Sequence, residues 1–230
     1  MNLLNDNAGT RLTPAGGIAL ILSLGGVFLP LMVRPWLLAA GYTSFQVNSA
    51  FKAYLWILAL TVWAIALHWE KLAWGKVGLR RISWSSVGQA VGIGVLLVVG
   101  IIVAASVVYA IFDPAADQEP LPTYSVGFWL FTVVTAAFTE ETLYRAYPIE
   151  RLKALTGSLW PGAIITCTLF VVAHMGTNSV AEILFVITPL GAAMTALYLW
   201  KRNFLFVVIV HFVVDSHLWI RPLLAAMADG

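Results

Sequence analysis

The sequence predicts an all-α fold, a polytopic transmembrane helical bundle of about seven spans (seven to eight by count). Three observations predict it. Of the 230 residues, 60% are hydrophobic and 10% charged, whereas a soluble globular chain carries about 25% charged residues. Apolar runs of the ~20 residues needed to cross a ~30 Å hydrocarbon core recur along the whole chain. The alternating polarity of a transmembrane β-barrel is absent, which leaves helix as the structure that satisfies its own backbone in lipid. Mean hydropathy is +0.88. One integral membrane domain covers residues 1–230, with no soluble domain. The net charge of +2 gives no case for a nucleic-acid partner; the expected surroundings are the lipid bilayer.

Seven apolar segments follow in order, at 16–40, 49–69, 87–112, 124–147, 158–176, 180–200 and 203–221. The first is too long for the apolar part of a cleavable signal peptide and is expected to stay as a span. The fourth need not stop at Pro148. Residues 149–155 read as an amphipathic continuation and Thr156-Gly157 as a turn, because proline within a membrane helix kinks it and is tolerated. A separate interfacial helix after Pro148 is the alternative. There is no internal repeat.

The connectors set the orientation. Lys71, Lys76, Arg80 and Arg81 lie in the 70–86 loop, Arg151 and Lys153 in the 148–157 connector, and Lys201 and Arg202 in the next basic one. These connectors alternate with the acidic 113–123 loop and the uncharged 176–179 connector. Basic loops stay in the cytoplasm, which puts the N-terminus inside, with Arg34 and Lys52 as exceptions on the outer side. The expected location is a bacterial cytoplasmic membrane. Cys167 sits inside an apolar run and reads as packing.

Ionisable residues within spans are costly and usually face the interior or a cavity. Here they cluster in the second half: Glu140, Glu141 and Arg145 in the fourth span, His174 in the fifth, His211, Asp215 and His217 in the seventh, with Glu182 near the start of the sixth. Glu141 and Arg145, four apart, share a helix face and can pair. Glu140 is rotated by about 100° from Glu141 and is expected to point toward another helix. Phe170 with His174, and His211 with Asp215, each mark one face. Depth follows from a rise of ~1.5 Å per residue. If the fourth helix runs to Leu155, Glu140 lies roughly 22 Å from its inner end, and His174 roughly 24 Å from the start of its own helix. Asp215 lies roughly 18 Å up its helix, and His211 about one turn lower. Four positions thus converge on one layer. His217 and Glu182 read as bystanders, the second solvated, and His68 and Glu70 as ordinary boundary residues.

Glu140-Glu141-Thr-Leu-Tyr-Arg145 reads EExxxR, Phe170-Val-Val-Ala-His174 reads FxxxH, and His211-Phe-Val-Val-Asp215 reads HxxxD. In this order, on separate spans, the motifs resemble the CAAX protease and bacteriocin-processing (CPBP, or Abi) family, which includes the Ras-converting type II CAAX endopeptidase. The resemblance covers about residues 120–221, the expected catalytic core. Tyr144 stands where the family commonly has Phe, Ala146 where it often has Gly, and Asp215 where the CAAX endopeptidases have Asn.

The resemblance implies an intramembrane endopeptidase acting on a membrane-associated or lipid-anchored peptide or protein. It implies that Glu140 and His174 activate the water, that His211 stabilises the oxyanion with Asp215 orienting it, and that Glu141, Arg145 and Phe170 support the site. The residue types suit these roles: a carboxylate in a low-dielectric site can act as a general base, and histidine can shuttle a proton. Because Asp accepts hydrogen bonds unless protonated, a direct oxyanion role does not transfer to Asp215. No cofactor is favoured. Zinc held by Glu140, His174 and His211 stays open as the alternative, although there is no HExxH motif. Two other functions compete: a non-proteolytic peptide-binding or bacteriocin-immunity membrane protein, and a proton-coupled transporter, for which the expected repeats are missing.

Overall fold

Each helix begins where a short polar side chain precedes an apolar run. The computed structural model describes residues 12–112, 124–176 and 178–228, and among these every regular element is helical. Thr13 accepts from the Gly16 N–H at 3.0 Å and Pro14 opens α1, which covers Pro14–Ala39 with a 3-10 turn at Gly26–Phe28. A capping box of Thr43 and Gln46 opens α2 (Ser44–Trp69). A 3-10 turn at Trp74–Val77 leads to α3 (Trp84–Phe112). Ser125, Ser158, Ser179 and Asn203 cap the helices that start at Val126 (α4), Leu159 (α5), Val180 (α6) and Phe204 (α7). These side chains satisfy backbone donors that a helix start leaves unpaired.

α5 is Leu159–His174 and α6 spans Val180–Lys201, while α7 runs through Phe204–Asp215 and His217–Ala228. All seven expected segments are therefore helices. Four are both long and apolar enough to cross a membrane, namely α1, α2, α3 and α6, while Leu159–His174 and Phe204–Ile220 are shorter apolar helices. The 113–123 loop and residue 177 of the uncharged connector lie outside the described residues.

α4 bears out the longer reading of the fourth segment. It continues from Val126–Glu141 through a π turn at Thr142–Ala146 into Tyr147–Thr156 and stops at Gly157, whose φ of 75° suits glycine. Pro148 does not end the helix. A proline has no N–H and its ring crowds the carbonyl four residues back; the π turn, closed by the Tyr147 N–H on the Thr142 carbonyl, widens the helix just ahead of it. The π turn at Ile183–Ile187 likewise precedes a proline, Pro189. Ser23 of α1 donates to the Leu143 carbonyl at 2.6 Å, a substitute donor of the kind that lets proline persist in a membrane helix.

α4 is the hub. Residues 141–151 are all buried. On one side Leu143 and Tyr144 join a core with Ala59, Val62 and Phe170 of α2 and α5; on the other, Ala146 and Ile149 join Met194, Phe206 and Val210 of α6 and α7. Trp56 and Trp63 of α2 donate to Thr135 and Thr142 of α4 at 2.9 and 3.1 Å. Lipid tails are as apolar as leucine, so packing and hydrogen bonds rather than water exclusion hold such helices together. Small residues permit the approach: a Cβ at Gly162 of α5 would lie 3.1 Å from the Ile149 Cα of α4. Large apolar side chains such as Ile57, Leu96, Ile102 and Ile164 remain exposed, as a lipid-facing surface requires.

The C-terminal half of α4 also corrects the reading of Glu70. This residue is not an ordinary boundary residue but is buried, 2.7 Å from Arg151 and accepting from the Tyr147 hydroxyl at 2.7 Å.

Candidate active site

The ionisable cluster is assembled on the last α-helical turn of α4 before its π turn. Glu141 and Arg145 pair along the helix at 2.9 Å, both with fully buried side chains. The same Glu141 oxygen, Oε1, accepts from Nδ1 of His211 on α7 at 2.7 Å. The other nitrogen of that ring, Nε2, lies 3.3 Å from Asp215 and 4.0 Å from Glu140. Phe170 of α5 covers the Arg145 guanidinium with its ring face at 4.3 Å, a cation–π contact, and Tyr144 meets Phe170 edge-on.

Two expectations change here. Glu140 and Glu141 do not diverge toward different helices; they straddle the two nitrogens of one imidazole. Two flexible methylenes on each side chain span the angle between them, because α7 runs alongside. Moreover, the group that orients His211 through Nδ1 is Glu141, so the EExxxR pair does more than neutralise charge, while Asp215 faces the ring's other nitrogen.

Exposure divides the carboxylates. The side chains of Glu140 and Asp215 retain 23% and 22% of their accessible area, His211 retains 9%, and Glu141 and Arg145 none. Among the described residues, Oε2 of Glu141 and Nε and Nη2 of Arg145 have no hydrogen-bond partner. Nothing dissolved can reach the Glu141–Arg145 pair, whereas Glu140 and Asp215 are open to water or a ligand.

His174 stands at the end of α5, its ring 4.5 Å from that of Phe170. Its Nδ1 lies 2.8 Å from the Phe170 carbonyl. A carbonyl cannot donate, so the Nδ1 that faces it carries a proton. Phe170 is level with Tyr144 and Arg145; one turn further along α5 and one turn back along α4 bring His174 to the level of Glu140 and Glu141. The geometry therefore joins Glu140, Glu141, Arg145, Phe170, His211 and Asp215 by direct contact and sets His174 at the same height through Phe170.

Among the described residues no group of three or more His, Cys, Asp or Glu side chains is arranged to hold a metal ion. Both nitrogens of His211 face carboxylates, and Nδ1 of His174 is engaged by a carbonyl.

The bystanders also find places. Glu182 is not merely solvated: it completes a capping box with Ser179 and accepts from Tyr109 at 3.1 Å. His217 donates from Nδ1 to the Val214 carbonyl at 3.0 Å. Val214 and His217 line a cavity of about 660 Å³ between α3, α6 and α7, walled by apolar residues such as Ile101, Ile102 and Val186.

Fold and cluster together define an integral membrane protein with a carboxylate–imidazole site built on apolar helices. Residues 122–217 match the model of the family described as type II CAAX prenyl endopeptidase Rce1-like. That segment contains all three motifs, and with it the resemblance to the CAAX protease family is borne out. No curated protein and no solved structure matches the chain.

Proposed function

We propose that the chain is an intramembrane endopeptidase that hydrolyses a peptide bond in a membrane-associated or lipid-anchored substrate, with Glu140 as general base. A water held between Glu140 and Nε2 of His174 gives a proton to the Glu140 carboxylate while its oxygen bonds to the scissile carbonyl carbon. His211 donates from Nε2 to the oxyanion. The tetrahedral intermediate then collapses, the C–N bond breaks, and the proton held by Glu140 or passed through His174 leaves on the amine. Glu141 fixes the His211 ring, and Arg145 balances Glu141.

The observation that carries this reading is the division between open and sealed carboxylates around His211: Glu140 is reachable while Glu141, its neighbour in sequence, is fully buried on Arg145 and His211. A base must meet water, and an orienting group need not. The cavity lined by Val214 and His217, on either side of Asp215 in sequence, and by apolar residues of α3 and α6 supports a substrate drawn from the lipid phase.

The test profiles new peptide N-termini in membranes from matched cells making wild type, Glu140→Gln or His174→Ala at equal levels. Cleavages present in wild type and lost in both folded variants support a protease and name its substrate; a chelator arm reads metal dependence. Identical profiles from all three would move a peptide-binding or immunity role to the front.

A further inference from the structure

The end of the bundle that carries the basic loops contains a cavity of about 610 Å³, separate from the carboxylate–imidazole cluster. Five cations line it, Lys76, Arg80, Arg151, Lys153 and Arg202, against one carboxylate, Glu150. Arg202 is paired with Glu150, and Arg151 with Glu70. Lys76, Arg80 and Lys153 have no ion-pair partner among the described residues. The cavity therefore holds three more positive charges than the described chain compensates.

The wall is a built structure. Arg151 and Glu150 are buried, and the Tyr198 hydroxyl donates to Glu150 at 3.1 Å. Arg202 adopts a left-handed backbone with φ 47°, a region that non-glycine residues seldom occupy. Such a conformation persists only where its surroundings impose it, and here it aims the guanidinium at Glu150. Three arginines with planar donor forks and two flexible lysines around a concave wall suit a phosphate better than a single carboxylate. Charge of one sign in a cleft with low-dielectric walls concentrates counter-ions. The level is also apt: the cavity sits where α4 ends at Thr156, beside exposed Trp74 and Trp160, in the zone where interfacial tryptophans lie.

We propose that this cavity binds a phosphate-bearing anion, supplied either by an anionic phospholipid headgroup or by a soluble phosphate ester. Ordinary headgroup phosphates lie at this depth, and basic pockets between helices at that surface hold them through the same contacts. The site is independent of peptide hydrolysis, so its readout is binding.

The test uses the full chain purified in a neutral detergent. Its unfolding midpoint is measured against short-chain phosphatidylglycerol, short-chain phosphatidylcholine and glycerol phosphate at matched ionic strength. A midpoint raised by phosphatidylglycerol above phosphatidylcholine, with no response to glycerol phosphate, assigns the site to a lipid headgroup. A response to glycerol phosphate as well assigns it to the phosphate alone. Replacing Lys76, Arg80 and Lys153 together by Gln lowers the affinity by about fivefold per charge, on the order of a hundredfold in all. Should that variant fold poorly, sodium chloride added to the wild type serves instead, weakening a charge-driven site as it screens it. The proposal is overturned if neither phosphate compound outperforms phosphatidylcholine, or if the response survives both the triple substitution and high salt.

Discussion

Removing the charge of Glu141 tests whether the sealed pair and His211 form one unit. In Glu141→Gln the side-chain oxygen can still accept from Arg145 and His211, now 2.9 and 2.7 Å away, but as a neutral group. Hydrogen bonds to a charged group contribute about 1.5–3 kcal/mol and neutral ones about 0.5–1.5, so converting the His211 bond costs roughly 1–1.5 kcal/mol, while the bond from Arg145 keeps its cation. The variant also strands the Arg145 cation, which is fully buried with Nε and Nη2 already without hydrogen-bond partners among the described residues. Arg145→Met strands the opposite charge and costs about 3–5 kcal/mol, the usual result of breaking a buried pair from one side. In the double variant neither charge is left behind, so its cost falls below the sum of the two by about 2 kcal/mol or more. Solvent screening does not reduce these figures, because neither side chain is exposed. The assay is equilibrium unfolding of the four proteins of the cycle in mixed micelles. Additivity within about 0.5 kcal/mol would refute the reasoning, since independent sites add to that precision.

Other outcomes follow from the same geometry. Gly162→Ala puts a Cβ 3.1 Å from the Ile149 Cα and destabilises by about 1–3 kcal/mol through overpacking, whereas Gly92→Ala, with nothing within 4 Å, is neutral or gains up to about 1 kcal/mol; thermal unfolding separates the two. Ser23→Ala removes the donor to the Leu143 carbonyl and leaves it unsatisfied in an apolar interior, costing about 1–3 kcal/mol by the same measurement. Tyr198→Phe loses the hydroxyl contact to Glu150 and costs about 1 kcal/mol by the same measurement.

The bundle was legible from composition because lipid admits few structures, and each of the seven apolar runs became a helix. The continuation of α4 past Pro148 was legible too, from an amphipathic pattern ending at Thr156-Gly157. What the sequence did not disclose was the π turn that makes this continuation workable, since its signal is a lone proline two residues later and its support is Ser23, far away in the chain. In the site, the Glu141–Arg145 pair could be read because both partners lie on one helix at a fixed spacing. The bond from Glu141 to His211 could not, because it depends on how α7 is rotated against α4. Glu70 escaped for the same reason: a carboxylate at the end of one apolar run looks solvated until Tyr147 and Arg151 close over it.

These hidden contacts have a common origin. Without a hydrophobic force between helices, a membrane bundle must use close packing and interhelical hydrogen bonds, and α4 supplies most of them. Its buried length, 141–151, carries at one end the Glu141 carboxylate that fixes His211 and at the other the Glu150 and Arg151 pairs. Leu143, Tyr144, Ala146 and Ile149 fill the interval and touch both cores. Two adjacent glutamates at the upper end then acquire different roles from their surroundings alone. Glu141 meets a guanidinium and an imidazole and is closed off; Glu140, one residue earlier, faces the same imidazole at 4.0 Å and remains open. A rotation of α7 relative to α4 would exchange which carboxylate holds the ring. The close approach of α3 to α7 at Gly94 and Val213, two residues from His211, opposes that rotation, so the distinction between the two glutamates is a property of the whole bundle and not of the motif.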